Sequence, residues 1–265
     1  MKGELVGSPF SYLPLIGRLE SKYSMMSGEK WMRENFHIPV IAVILYLLLI
    51  LAGKKCMRYF SPFNIKKPLF YWNVALAAFS FLVCLSLLPH MIHAHLKYGM
   101  NYILCTPYIF YDTHIQLWNF LFCFFKIIEL GDTAFIILRK RPLQFLHWYH
   151  HITVLLYCYY TCTEIRTGTL QHYFSSSNAF VHTIMYTYYA LRAAGVHLHS
   201  KIAQAITILQ IAQMFFCLWI IWIGYTNYHS VPGCILHLGS LYFAAAMYGS
   251  YAVLFLHYFI RRYIQ

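Results

Sequence analysis

The sequence predicts an all-α integral membrane protein with seven transmembrane helices, and three observations lead there. The composition is 60% apolar and 19% aromatic, with 11% charged residues, against roughly a quarter charged in ordinary soluble domains. Seven apolar stretches are long enough to cross or nearly cross a hydrocarbon core that is about 30 Å thick. The basic residues sit in short loops between those stretches. A net charge of +12 would by itself suit nucleic acid. Charge confined to loops between spans belongs instead to orientation at a membrane surface, so no nucleic-acid partner is expected.

Residues 1–36 form an N-terminal arm, read either as an interfacial helix leading into the membrane or as a partly ordered tail. The arm carries Glu4, Glu20, Glu29 and Glu34 and lacks a clean apolar core with a small-residue cleavage site, so no signal peptide is expected. The spans run approximately His37–Gly53, Pro68–Leu88, Ile115–Leu138, Leu143–Cys162, Leu170–Leu191, Ala203–Gly224 and Ile235–Ile260. They make one domain over 37–260, followed by a short tail, 261–265. There is no internal repeat and no Asn-X-Ser/Thr sequon.

Orientation follows from the loops. With seven spans, Lys54, Lys55, Arg58, Lys66, Lys67, Arg139, Lys140, Arg141, Arg192, Lys201, Arg261 and Arg262 fall on one side, and Lys97 and Arg166 on the other. The basic loops and the C-terminus are therefore expected in the cytosol and the N-terminus in the lumen. Of the eight cysteines, only Cys105 and Cys234 fall in loops on the oxidising side. This predicts a Cys105–Cys234 disulfide. No CxxC spacing suggests zinc.

The chemistry lies inside the apolar runs. His147, His150 and His151 stand at i, i+3 and i+4, one face of a helix. The preceding span carries Lys126, Glu129 and Asp132 at i, i+3 and i+6, followed by Thr133. A charge at mid-membrane costs ~2.5–3.5 kcal/mol on insertion scales, so three in one span need partners or a task. Two readings are open: an ion-pair network that pins two helices, or a carboxylate that orients a histidine. Asn178 and His182 share a helical face, followed by Met185, Tyr186, Tyr188 and Tyr189; the tyrosines are either site residues or an interfacial belt. Thr207, Gln210 and Gln213 recur at i, i+3 and i+6, as interhelical glue or as substrate contacts. The histidine box lies just past Arg141, at the cytosolic end of its span. A soluble head group can reach it there while a fatty chain extends into the bundle, which suits an amphipathic thioester. Two alternatives stand beside this. A di-iron desaturase or hydroxylase uses such boxes but needs about eight histidines in three of them, and here there is one; His90, His93, His95, His197, His199 and His237 are placed mostly in or near loops. A non-enzymatic seven-span receptor or transporter gives no reason for imidazoles beside carboxylates.

At these residues the chain resembles the very-long-chain fatty acid elongases, the 3-ketoacyl-CoA synthases of the endoplasmic reticulum. Lys126-Ile-Ile-Glu129-Leu-Gly-Asp132-Thr133, His147-Trp-Tyr-His150-His151, the run from Asn178 through His182 to Tyr189, and Thr207-Ile-Leu-Gln210-Ile-Ala-Gln213 match four family motifs in order. The stretch Phe145 to His151 is most similar to types 3 and 6, which act on saturated and monounsaturated chains. The tail lacks the family's frequent lysine-rich retrieval signal.

The resemblance implies six helices forming a barrel around a closed-ended acyl tunnel, with one helix outside. It implies residence in the endoplasmic reticulum membrane, with acyl-CoA and malonyl-CoA as substrates and no metal or other cofactor. The partners it implies are membrane lipid and the ketoreductase, dehydratase and enoyl reductase of the elongation cycle. On this basis His150 is expected to carry an acyl group as an acyl-imidazole. His147 and His151 would orient groups or move protons, and Asp132 or Glu129 would hold one imidazole's tautomer. His182 and Asn178 would stabilise developing charge. Lys126, Arg139, Lys140, Arg141 and Arg192 would meet the CoA phosphates, and Tyr186, Tyr189, Gln210 and Gln213 would line the substrate site.

Overall fold

Leu-, Ile- and Phe-rich runs that must satisfy their own backbone groups have helix as the accessible conformation. The computed structural model describes residues 7–106, 113–163 and 168–265, and among these every regular element is a helix. Glu4 and Arg166 lie outside the described residues. The elements are α1 (Pro14–Lys22), α2 (Met25–Glu34), α3 (His37–Cys56), α4 (Lys66–Tyr98), α5 (Met100–Cys105) and α6 (Thr113–Glu129). They continue with α7 (Asp132–Leu138), α8 (Phe145–Cys162), α9 (Gly168–Ala193), α10 (Ser200–Ser230) and α11 (Leu238–Tyr263).

Four stretches are long and apolar enough to cross a membrane: α3 with the 3₁₀ turn after it, α4, α10 and α11. Helices α6 to α9 are shorter or more polar. They carry the lysine, carboxylates and histidines of the motifs and bury most of them: Lys126, Glu129, His151, Asn178 and His182 are all under a tenth exposed. Helix α4 packs along α9, α9 on α10, α10 on α11, α11 on α8, α8 on α6 and α6 on α4. Helix α3 lies outside this circuit, against α7 and α8, and buries only Pro39, Tyr46 and Ile50.

Two elements differ from the sequence expectation. The second span was expected to end at Leu88, before a proline. Helix α4 instead continues through Pro89 to Tyr98, because a packed bundle can supply partners for the carbonyl that proline leaves free. His90, His93 and His95 therefore lie on a helix rather than in a loop. The His90 ring, 1% exposed, stands 6.0 Å from that of His114 and 5.5 Å from that of His172. The third span is not continuous but is divided at Leu130–Gly131. The N-terminal arm is folded against the bundle: α1 and α2 pack on α6. Glu20 is buried there, accepting hydrogen bonds from Trp118 Nε1 at 2.8 Å and Ser8 Oγ at 2.8 Å. Arg33 pairs with Glu29 and donates to the Thr163 carbonyl at the end of α8, satisfying one of that helix's open acceptors.

Cys105, at the end of α5, is joined by a disulfide to Cys234, in the turn between α10 and α11. The Ile235 N–H donates to the Cys105 carbonyl at 3.1 Å beside it. The bridge closes a segment of 129 residues, for which chain entropy gives a stabilisation of about 4–5 kcal/mol. Cys105→Ser and Cys234→Ser should each remove a reduction-dependent gel shift and lower the unfolding midpoint in detergent by several degrees; an unchanged midpoint would make the bridge energetically silent.

Candidate functional site

The site is organised by the break between α6 and α7. After Glu129 the backbone tightens into three-residue bonds, with Gly131 N–H donating to the Ile128 carbonyl at 2.9 Å and Thr133 N–H to the Leu130 carbonyl at 3.3 Å. Glycine is required here because the Trp72 ring lies against it: a Cβ on Gly131 would stand 2.7 Å from the indole carbons. That indole is not free to move away, since its Nε1 donates to Asp132 Oδ1 at 2.6 Å. The Tyr186 hydroxyl donates to Oδ2 at 2.8 Å. Asp132 thus opens α7 with both oxygens engaged, from α4 and from α9, and its Oδ2 lies 4.0 Å from His151 Nε2.

Lys126 and Glu129 end α6 as a buried pair, 1% and 3% exposed. Lys126 Nζ donates to Glu129 Oε1 at 2.7 Å and to Asn178 Oδ1 at 3.0 Å, and sits 4.3 Å from the centre of the Phe122 ring. An ammonium so enclosed does not reach a phosphate entering from the loops, so the expected contact of Lys126 with CoA is corrected: it joins α6 to α9. Glu129 likewise does not hold a box imidazole; its nearest ring is His182, whose Nδ1 is 3.7 Å from Oε1.

The three histidines of α8 share a helix side but not their surroundings. His147 Nε2 is 2.9 Å from Thr133 Oγ1, which is 2.7 Å from the Tyr46 hydroxyl. At His147 the neighbour is thus a threonine backed by a tyrosine, while the Asp132 carboxylate stands beside His151. His151 is buried between His147, at 4.5 Å between ring centres, and the Asp132 side. His150 faces the other way, its ring 4.9 Å from that of Tyr251.

Three cavities meet around these groups. One, of about 370 Å³, is bounded by His147, His150, His151, Asn178 and His182, with Gln210, Gln213 and Arg262 toward α10 and α11. A second, of about 530 Å³, opens among Lys66, Arg139, Arg141 and Arg192 and reaches Asp132, His147, Tyr186 and Tyr189. A third is narrow. It begins at His150, Asn178 and Gln213, passes Val154, Phe174 and Tyr251, and ends at Thr161 and Gln171. Lys140 does not line the second cavity with Arg139, Arg141 and Arg192. It takes the left-handed position, φ 50°, that closes α7, with Arg141 N–H donating to the Ile136 carbonyl at 3.0 Å as a Schellman cap requires. Its side chain lines a separate cleft with Lys54 and Arg58. Gln210 Nε2 contacts Met185 Sδ at 3.3 Å. Among the described residues no three His, Cys, Asp or Glu side chains converge as metal ligands do.

Sequence reading missed Trp72, Tyr46 and Tyr251. Each sits in an apolar span at a position where an aromatic residue is ordinary, and only the fold shows where its polar atom points.

Residues 31–265 match the model of the GNS1/SUR4 (ELO) family. The chain is 38% identical to very long chain fatty acid elongase 6 of Drosophila melanogaster over 248 residues, covering 92% of this chain and 78% of that protein. It is 37% identical to elongase 6 of Mus musculus, covering 92% and 91%, and 39% identical to very long chain fatty acid elongase 3 of the same species, covering 89% and 86%. With that coverage, and with the four motifs gathered around cavities that share walls, the chain belongs to the GNS1/SUR4 family.

Proposed function

We propose that this protein is the condensing enzyme of fatty acid elongation, joining an acyl-CoA to malonyl-CoA to give 3-oxoacyl-CoA, CO₂ and CoA, in the endoplasmic reticulum membrane. One observation carries the reading: His150 stands at the junction of a polar cavity and a narrow, largely apolar one. A thioester carbonyl placed at His150 directs its alkyl tail along the line of the narrow cavity, which at about 20 Å³ must open to receive it, and its CoA into the wider ones. The ring of helices α4, α9, α10, α11, α8 and α6, with α3 outside, supports a six-helix barrel. Counting α6 with α7 as one divided span gives seven crossings, an N-terminus in the lumen and a C-terminus in the cytosol. The arm, the spanning domain 37–260 and the tail then keep the expected division.

The chemistry proceeds in two half-reactions. The His150 imidazole attacks the acyl thioester carbonyl, the C–S bond breaks, and CoA leaves as its thiol. Malonyl-CoA then loses CO₂, the resulting enolate carbon attacks the acyl-imidazole carbonyl, the C–N bond breaks, and the departing imidazole takes up the one proton that the overall reaction consumes. A covalent intermediate divides one hard step into two easier ones. His182, His147 and Asn178 border the same cavity, where donors stabilise the oxyanion and the enolate. Arg139, Arg141, Arg192 and Lys66 surround the basic mouth and suit the CoA phosphates. Tyr186, Tyr189, Gln210 and Gln213 line the passage. No metal is called upon, and the reductases and dehydratase of the cycle would take the product.

Purified protein incubated with acyl-CoA alone should gain one acyl mass on a peptide containing His150, and His150→Ala should not. Absence of an adduct in active protein would favour a single-step ternary mechanism. The two groups of cations should separate in their effects. Lys126→Met breaks a buried pair and should destabilise the fold by about 3–5 kcal/mol, read as a large drop in the unfolding midpoint. Arg141→Gln should leave the midpoint unchanged and raise KM for both CoA substrates about ten- to a hundredfold, as loss of one charge-assisted contact does.

A further inference from the structure

Helix α3 looks like a membrane anchor. It stands outside the helix circuit and is lined with exposed leucines and isoleucines such as Ile44, Leu48 and Leu51. Of the three residues it buries, Tyr46 is the one with a polar side chain: it is 3% exposed and turns its hydroxyl inward onto Thr133. If burial of a ring were its whole role, the hydroxyl would be a liability, since a buried polar atom must find a partner.

Thr133 departs from its class as well. Thr153, Thr161, Thr183, Thr187 and Thr207 each return their hydroxyl to a carbonyl four residues back in their own helix, as threonine in a helix commonly does. Thr133, 0% exposed and in the first turn after the Leu130–Gly131 break, instead spans two side chains, Tyr46 and His147. The sense of the chain follows from counting hydrogens. If Tyr46 accepted from Thr133, its own hydrogen would be buried without an acceptor. Tyr46 O–H therefore donates to Thr133, and Thr133 O–H donates to His147 Nε2.

We infer that Tyr46 is a positioning residue for His147: through Thr133 it fixes Nε2 as an acceptor, so that His147 presents Nδ1–H to the two cavities it lines. The tautomer of an imidazole is set by the bond its other nitrogen makes. A neutral hydroxyl pair performs here what a carboxylate performs in many enzymes, and it makes His147 a hydrogen-bond donor to the reacting carbonyl or enolate, leaving the nucleophilic role to His150. The outermost helix thereby takes part in the active site. This rests on the elongation reading of the same site.

The test is steady-state elongation with labelled malonyl-CoA by Tyr46→Phe, which keeps the ring and removes the hydroxyl. The expected result is kcat lowered about five- to tenfold, with KM for both CoA substrates unchanged and an unaltered unfolding midpoint. Thr133→Val should lose at least as much, Thr133→Ser should recover it, and Tyr46→Phe combined with Thr133→Val should be no worse than Thr133→Val alone. Leu48→Ala, on the outward face of α3, should match wild type. Tyr46→Phe within twofold of wild-type kcat, or losses that multiply in the double variant, would overturn the positioning role while leaving the elongation reading intact. A wild-type protein that incorporates no malonyl-CoA would remove both.

Discussion

Burying charge without water is the constraint from which the rest of this structure follows. Lys126 and Glu129 occupy the interior at 1% and 3% exposure, where an uncompensated charge costs several kcal/mol. They are held there by each other and by α9, which brings Asn178 to the ammonium and His182 to within 3.7 Å of the carboxylate's Oε1. Helices α6 and α9 are therefore held in one register by electrostatics. That register fixes where the chain can break after Glu129, where Asp132 and Thr133 emerge, and so what α8 finds opposite its histidines.

The helix break shows how packing and chemistry share residues. Gly131 lets the Trp72 ring approach, and the ring's nitrogen takes one oxygen of Asp132. Tyr186 takes the other. A continuous helix would have carried Asp132 and Thr133 onward along the face of Lys126. The interruption instead delivers them to the histidine side, with Thr133 free to bond across the interface rather than back along its own helix.

Much of this was legible beforehand, and the rest was not, for physical reasons. Long apolar runs separated by basic loops leave little choice but spanning helices. Charges at helical spacing inside such runs signal a polar interior. The motif residues were legible because histidine, lysine and carboxylate are costly in an apolar setting and so carry information wherever they occur. Tyr46 and Trp72 were not, since an aromatic side chain in a membrane span is cheap, and only tertiary placement distinguishes one facing lipid from one holding a carboxylate or a threonine. The continuation of α4 past Pro89 was hidden because the loss of one backbone bond is decided by neighbours that sequence does not name. Lys126 was misjudged as a phosphate contact because its charge was visible and its enclosure was not.

The bridge between Cys105 and Cys234 has a topological consequence. Four of the six helices of the ring, α6, α8, α9 and α10, lie between the joined positions, so the intervening polypeptide forms a covalent loop. A protease that cuts once anywhere between the two half-cystines produces no free fragment. The nicked chain stays a single molecule until a reductant opens it, and its ring of helices can remain threaded together after its backbone has been severed.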